Sequence, residues 1–358
     1  MFAIYIAGNF PLEDYEKLAD FLIASEVLVP AFIPAEVGLL SLDAVTYASH
    51  VDKLQTVFVP DRNIVSRLVK VVRDGGVGKR DVPTQVALTT LAVAQTANFL
   101  IDPSISFHEY GHSQGNTAAN RELSLFRVAD HADARQWIDL ALGRRDNFVP
   151  TIPAPAVESV DLAFPLHRWR RNYVAMLKVG ELLLGDLKPV GKMAALLEWM
   201  ERDFLIAAPA AVLAAYLFAP IPKIGRAMKG IEAADRERAI AGIKNAAWDV
   251  THISEVVRMA REHEKVGNRY IFVTADRVLR LVADMVMRLS ITLSAGDRLE
   301  GPLSTWWTKK QAKVIGDLLA QKVSMAAEIR PKYRVSFTRE RLDEMTAEGE
   351  AKIRGYLA

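Results

Sequence analysis

Residues 268–289 read NRYIFVTADRVLRLVADMVMRL. Tyr270 to Val273 is a short β-branched and aromatic run, the composition of a buried strand. Thr274-Ala275-Asp276 ends it, and Val278, Leu279, Leu281, Val282, Met285, Val286 and Leu289 then recur at helical spacing. A strand that ends on an acid and turns at once into a helix delivers its carboxylate to the C-terminal edge of a sheet. Open α/β sheets keep their ligand sites along that edge. Asp276 also suits the N-cap of the helix behind it, and the two roles are compatible.

The same layout occurs earlier. Thr56-Val57-Phe58-Val59 reads as a strand, Pro60-Asp61-Arg62-Asn63 ends it, and Ile64, Val65, Leu68, Val69 and Val72 continue at helical period. Phe99 to Phe107, FLIDPSISF, reads as a strand or extended segment leading to His108-Glu109-Tyr110-Gly111-His112, which sets Glu109 at a third strand-to-helix junction. Asp249 is expected at a helix start just before the opening strand, on a face made apolar by Trp248, Val250, Ile253, Val256 and Val257. Four carboxylates converging on one edge suit Mg²⁺ or Mn²⁺, hard ions that take oxygen ligands and activate water in phosphodiester hydrolysis. Packed without a cation, such acids would repel one another and raise each other's pKa.

Composition bounds the rest. The 358 residues are 51% hydrophobic and 25% charged, with a formal net charge of +2, so any polyanion-binding surface must be local. The absence of cysteine excludes disulfides, thiolate metal sites and cysteine nucleophiles, and is compatible with a reducing, cytoplasmic setting. The N-terminus, with Pro11, Glu13 and Asp14, does not read as a signal peptide. Phe204 to Pro222 carries no charge, but it is dominated by Ala and interrupted by Pro209 and Pro220, so a buried helix or broken pair is expected rather than a membrane span. Asp74 to Arg80, DGGVGKR, lacks the leading glycine and the Ser or Thr of a phosphate loop and reads as a plain loop.

Along the chain, residues 1–54 form an N-terminal, mostly helical segment, and residues 55–145 and 235–290 form the α/β core. Residues 146–234 read as a helical insertion, with the proline-rich run 147–165 as the linker, and residues 291–358 as a helical C-terminal extension with a turn at Gly296–Pro302.

The order Asp61-Arg62-Asn63, Glu109-Tyr110-Gly111, Asp249 and Thr274-Ala275-Asp276 resembles the PIN-domain nucleases. The resemblance covers roughly residues 55–145 and 235–290. It implies a three-layer α/β/α fold with a parallel sheet and Mg²⁺- or Mn²⁺-dependent cleavage of RNA. By position, Asp61, Glu109, Asp249 and Asp276 would be the metal-binding acids, with Asn63 and Thr274 orienting them. RNA is the partner this implies; a homo-oligomer or a regulatory protein partner is left open.

Two other readings compete. His108-Glu109-Tyr110-Gly111-His112 matches H-E-x-x-H, which on a helix puts both His on one face for Zn²⁺ and resembles the zincin metalloproteases. Ala118 stands where the extended motif has its third His, leaving Glu122 or His131 as substitutes, and FLIDPSISF leaves little helix before the motif. A PIN-like scaffold could instead bind RNA or protein without cutting. Trp306-Trp307 with Lys309 and Lys310, and Arg168-Trp169-Arg170-Arg171, mix the aromatic and basic residues that stack bases and hold phosphates.

Overall fold

The computed structural model describes residues 9–155, 160–220, 228–262, 267–291, 296–329 and 337–356. In chain order the elements are α1 (Leu12–Ala24), β1 (Leu28–Pro30), α2 (Leu42–His50), β2 (Gln55–Pro60), α3 (Arg62–Asp74), α4 (Val82–Thr96), β3 (Leu100–Ile101), α5 (Ser104–Gln114), α6 (Asn116–Asp130) and α7 (Ala134–Ala141). They continue with α8 (His167–Leu184), α9 (Pro189–Arg202), α10 (Ala208–Leu217), α11 (Arg236–Glu262), β4 (Asn268–Val273), α12 (Arg277–Ile291), α13 (Gly296–Leu303), α14 (Lys309–Ile329) and α15 (Arg339–Gly355). The described residues thus form a mostly helical α/β protein around one small sheet.

The chain divides into a sheet unit, residues 1–164 and 255–276, and a helical unit, residues 165–254 and 277–358. This differs from the sequence expectation. Residues 1–54 join the sheet unit because β1 pairs with β4 and α1 packs on α4. Residues 235–254 and α12 join the helical unit, where α12 packs on α10 and α13. Residues 291–358 are no separate appendix, since α14 packs on α9 and α10, and α15 on α8.

The sheet runs β1-β4-β2-β3. The strands β4, β2 and β3 are parallel, whereas β1 is antiparallel to β4, so the sheet is mixed rather than parallel throughout. The odd strand is three residues long, ending on Pro30, which has no N–H for a ladder and suits an edge position. Both faces of the central strands are buried: Phe58, Ile271 and Val273 join the core cluster of α1, α3, α4, α6 and α7, while Val57, Val59, Tyr270 and Phe272 alternate with them and are buried as well. That explains why β2 and β4 read as continuous apolar runs.

α3 forms as its period dictates. Asp61 caps its start, Ile64, Val65, Leu68, Val69 and Val72 bury one face, and Gly75 ends it in the left-handed region at φ 72°. FLIDPSISF behaves differently from expectation. β3 takes only Leu100–Ile101, and α5 begins at Ser104, whose amide is held by Asp102 Oδ1 at 3.0 Å. Asp102-Pro103 is therefore a helix start, because proline's missing N–H goes unneeded there.

The proline-rich run expected as a linker ends at the unit boundary, yet its described parts are fastened to the sheet unit. Gln136 exchanges hydrogen bonds with the Val149 backbone, and Ser124 donates to the Pro155 carbonyl. Asn120 exchanges two with Val160, and Asn116 accepts from the Leu162 amide. Gly111 of α5 lies beneath this segment, where a Cβ would stand 2.5 Å from the Leu162 carbonyl oxygen.

In the helical unit, α10 is buried on every side, as its alanine-rich composition suggests. Among the described residues no helix is long and apolar enough to cross a membrane. Gly296–Pro302 lies within α13 rather than forming a turn. Within the expected C-terminal extension, residues 330–336 lie outside the described residues.

Candidate functional site

Strand register decides what stands at the C-terminal edge. Pro60 of β2 pairs with Val273 of β4, so the next residues, Asp61 and Thr274, leave neighbouring parallel strands side by side. The Thr274 hydroxyl donates to Asp61 Oδ2 at 2.5 Å and accepts from the Asp276 amide at 3.0 Å. The other Asp61 oxygen, Oδ1, accepts from the Ile64 amide at 2.9 Å as the cap of α3. Asp61 is only 2% exposed, whereas Asp276 is exposed at the start of α12. One hydroxyl thus bonds both the Asp61 carboxyl group and the backbone amide of Asp276.

The helix that bears Glu109, α5, is fastened to the same edge. Ser106, nearly one turn earlier, donates to the Pro60 carbonyl at 2.9 Å, and the Asp102 amide donates to the Phe58 carbonyl at 2.8 Å. Glu109 is half-buried and lies within α5, not at a strand-to-helix junction, because the helix already starts at Ser104. Asn63 is exposed in the first turn of α3. Asp249 does not open a helix either; it lies near the middle of α11, half-buried, in the part of that helix that belongs to the helical unit.

Sequence reasoning missed Arg62. Its Nη2 donates to Glu122 Oε2 at 2.5 Å, and its guanidinium carbon lies 4.0 Å from the centroid of the Tyr110 ring. Arg62 follows Asp61 and Tyr110 follows Glu109, so the only advance signal was adjacency; the partner Glu122 is sixty positions away.

Among the described residues, no three His, Asp or Glu side chains are grouped to hold a metal ion. The donor chemistry at the sheet edge fits a hard divalent ion nonetheless. Magnesium sites commonly use one or two carboxylates, completed by water and substrate oxygens. The Ile64 and Thr274 donors hold the Asp61 carboxyl group in a fixed direction.

HEYGH lies on a helix after all, with His108 and His112 one turn apart on α5. His108 Nδ1 lies 3.2 Å from the Leu162 carbonyl, and burial pushes its imidazole below the usual range, outweighing that hydrogen bond and the charges of Asp161 and Glu255. Glu122 is taken by Arg62, and His131 Nδ1 lies 2.8 Å from the Arg127 carbonyl.

The proposed base-stacking aromatics are core residues. Trp169, 6% exposed, stacks between Tyr173 and Trp248. Trp306 packs on Tyr216, and Trp307 is 1% exposed with its Nε1 donating to the Ala215 carbonyl. Their aromatic surface packs within the helical unit; Lys309 and Lys310 are exposed, whereas Arg168, Arg170 and Arg171 are half-buried.

No family model, curated protein or solved structure matches the chain.

Proposed function

We propose that this protein is a Mg²⁺- or Mn²⁺-dependent nuclease that hydrolyses phosphodiester bonds in RNA, on a three-layer PIN-like core. The observation that carries the reading is the Asp61–Thr274–Asp276 linkage across the ends of two parallel strands. A buried acid whose hydroxyl partner also holds the backbone of an exposed acid suits a site where one carboxylate anchors and the other meets solvent. Asp61 and one further acid, Asp276 or Glu109, would hold the ion, with water and substrate oxygens completing its shell. When bound, it would lower the pKa of water and offset the charge that develops on phosphorus oxygens.

The chain's own residues have defined roles in this reading. The Thr274 hydroxyl and the Ile64 amide hold the Asp61 carboxyl group in a fixed direction. Buried side chains of both central strands exclude water beneath the edge.

The decisive experiment compares Asp61→Asn and Asp276→Asn with wild type. Asparagine is as good an N-cap as aspartate, so Asp61→Asn keeps the start of α3 while removing charge. Both variants should fold, by circular dichroism, and lose metal-dependent RNA cleavage by about a hundredfold or more. Undiminished cleavage in folded variants would remove the proposal.

The helical placement of HEYGH favours a second reading, a zinc site on His108 and His112 with Glu109 polarising water. It requires bound zinc in protein purified without chelator, released on changing both His to Ala. Elemental analysis without zinc eliminates it.

A further inference from the structure

The Arg62 cluster contributes little to folding for the desolvation it requires. Arg62 and Glu122 form an ion pair whose side chains are 17% and 12% exposed. The second terminal nitrogen, Nη1, is buried with no acceptor among the described residues. A buried, unpaired cationic donor costs stability, and well-packed apolar replacements of buried ion pairs are often neutral or stabilising. Stability alone does not account for this arrangement.

Its position does. The guanidinium plane packs over the ring of Tyr110 and pairs with Glu122, so one side chain joins the first turn of α3 to both α5 and α6. Arg62 is covalently next to Asp61, and Tyr110 is next to Glu109. The stack therefore fixes the helix bearing Glu109 against the strand end bearing Asp61, with Ser106–Pro60 as its second fastening. Arginine suits this position because its planar fork can stack and pair at once, which a lysine ammonium cannot.

We propose that Arg62 is a positioning residue that sets Glu109 relative to Asp61 at the metal edge, with Tyr110 as its platform and Glu122 as its counter-ion. The inference rests on the metal-site reading above. Arg62 acts through its neighbours and touches neither ion nor substrate.

The test uses the full chain in three measurements: thermal melting, calorimetric titration with Mn²⁺ alone, and steady-state RNA cleavage. The double variant Arg62→Met with Glu122→Leu replaces the pair by apolar side chains. It should melt near or above wild type, yet bind Mn²⁺ about tenfold more weakly and lose about tenfold in kcat with little change in KM. Arg62→Lys should recover only part of the Mn²⁺ affinity. Wild-type Mn²⁺ affinity in a folded double variant overturns the inference. If that variant does not fold, Tyr110→Leu, which removes only the platform, is titrated in the same way and decided by the same outcomes. Wild-type protein that binds Mn²⁺ without cleaving RNA ends the nuclease reading, while the affinity comparison still decides Arg62. Wild-type protein that binds no Mn²⁺ overturns both.

Discussion

The sheet unit and the helical unit use buried polar groups in opposite ways. In the helical unit they fasten helices to one another. Asn172 of α8 donates to Thr251 and Ser254 of α11, and Tyr173 donates to Glu350 of α15 at 2.6 Å. Glu350 in turn pairs with Arg354 and Lys244. In the sheet unit, buried polar side chains gather at one strand edge, where Asp61, Thr274, Arg62 and Glu122 stand together with an exposed Asp276. The first arrangement pairs side chain with side chain from one helix to the next. The second ends in an exposed acid and an unsatisfied guanidinium nitrogen.

That contrast can be broken by substitution. The largest stability effect should come from Trp307→Ala, which deletes a fully buried ring and its hydrogen bond to Ala215. A loss of about 3–5 kcal/mol is expected by denaturant titration. Next comes Tyr173→Phe, which removes a hydrogen bond to a charged group and should cost roughly 1.5–3 kcal/mol.

The same pair predicts a pH dependence. Burial pushes the Glu350 carboxyl up, but the Tyr173 hydrogen bond and the charges of Lys244 and Arg354 outweigh it and hold the pKa below the ordinary glutamate value. A depressed native pKa contributes stability at neutral pH that is lost as pH falls through that native value. Tyr173→Phe should shrink this acid-induced loss, measured as the difference in denaturant midpoint between neutral and acid buffer. An unchanged difference would show that the hydrogen bond does not depress Glu350.

Thr274→Val sharpens the comparison from the other side. It strips Asp61 Oδ2 of its donor and should cost about 1–3 kcal/mol. It should also weaken Mn²⁺ binding by about tenfold, a loss no helical-unit substitution should reproduce without unfolding. The smallest effect is expected at the exposed Lys70–Asp74 pair of α3. There Lys70→Ala should stay within about 0.5 kcal/mol of wild type.

Much of the sheet was legible because its central strands are buried on both faces and therefore apolar without interruption. Thr56–Val59 and Tyr270–Val273 announced themselves in this way, and their terminal acids followed. β1 was hidden because three residues carry no period. α5 was masked by Asp102-Pro103, a pair that ends a strand and starts a helix equally well. The Arg62–Glu122 pair joins residues far apart in the chain and leaves no local trace. Asp249 was placed at a helix start because its helix, α11, is 27 residues long and its N-terminal signals lie well upstream. The tryptophans beside arginine and lysine could not be assigned to core or surface from composition, since both placements use the same residues.

The sheet's register also dictates an order of assembly. β4 lies between β1 and β2, yet it is synthesised after the whole 165–254 segment. Until it arrives, β1 and β2 each present an unsatisfied edge, the kind of surface on which nascent chains misassociate. The Thr274–Asp61 hydrogen bond closes a span of 213 residues, so the entropy of a very long loop falls on the last step. A ribosome must therefore release most of this chain before the candidate edge can exist at all.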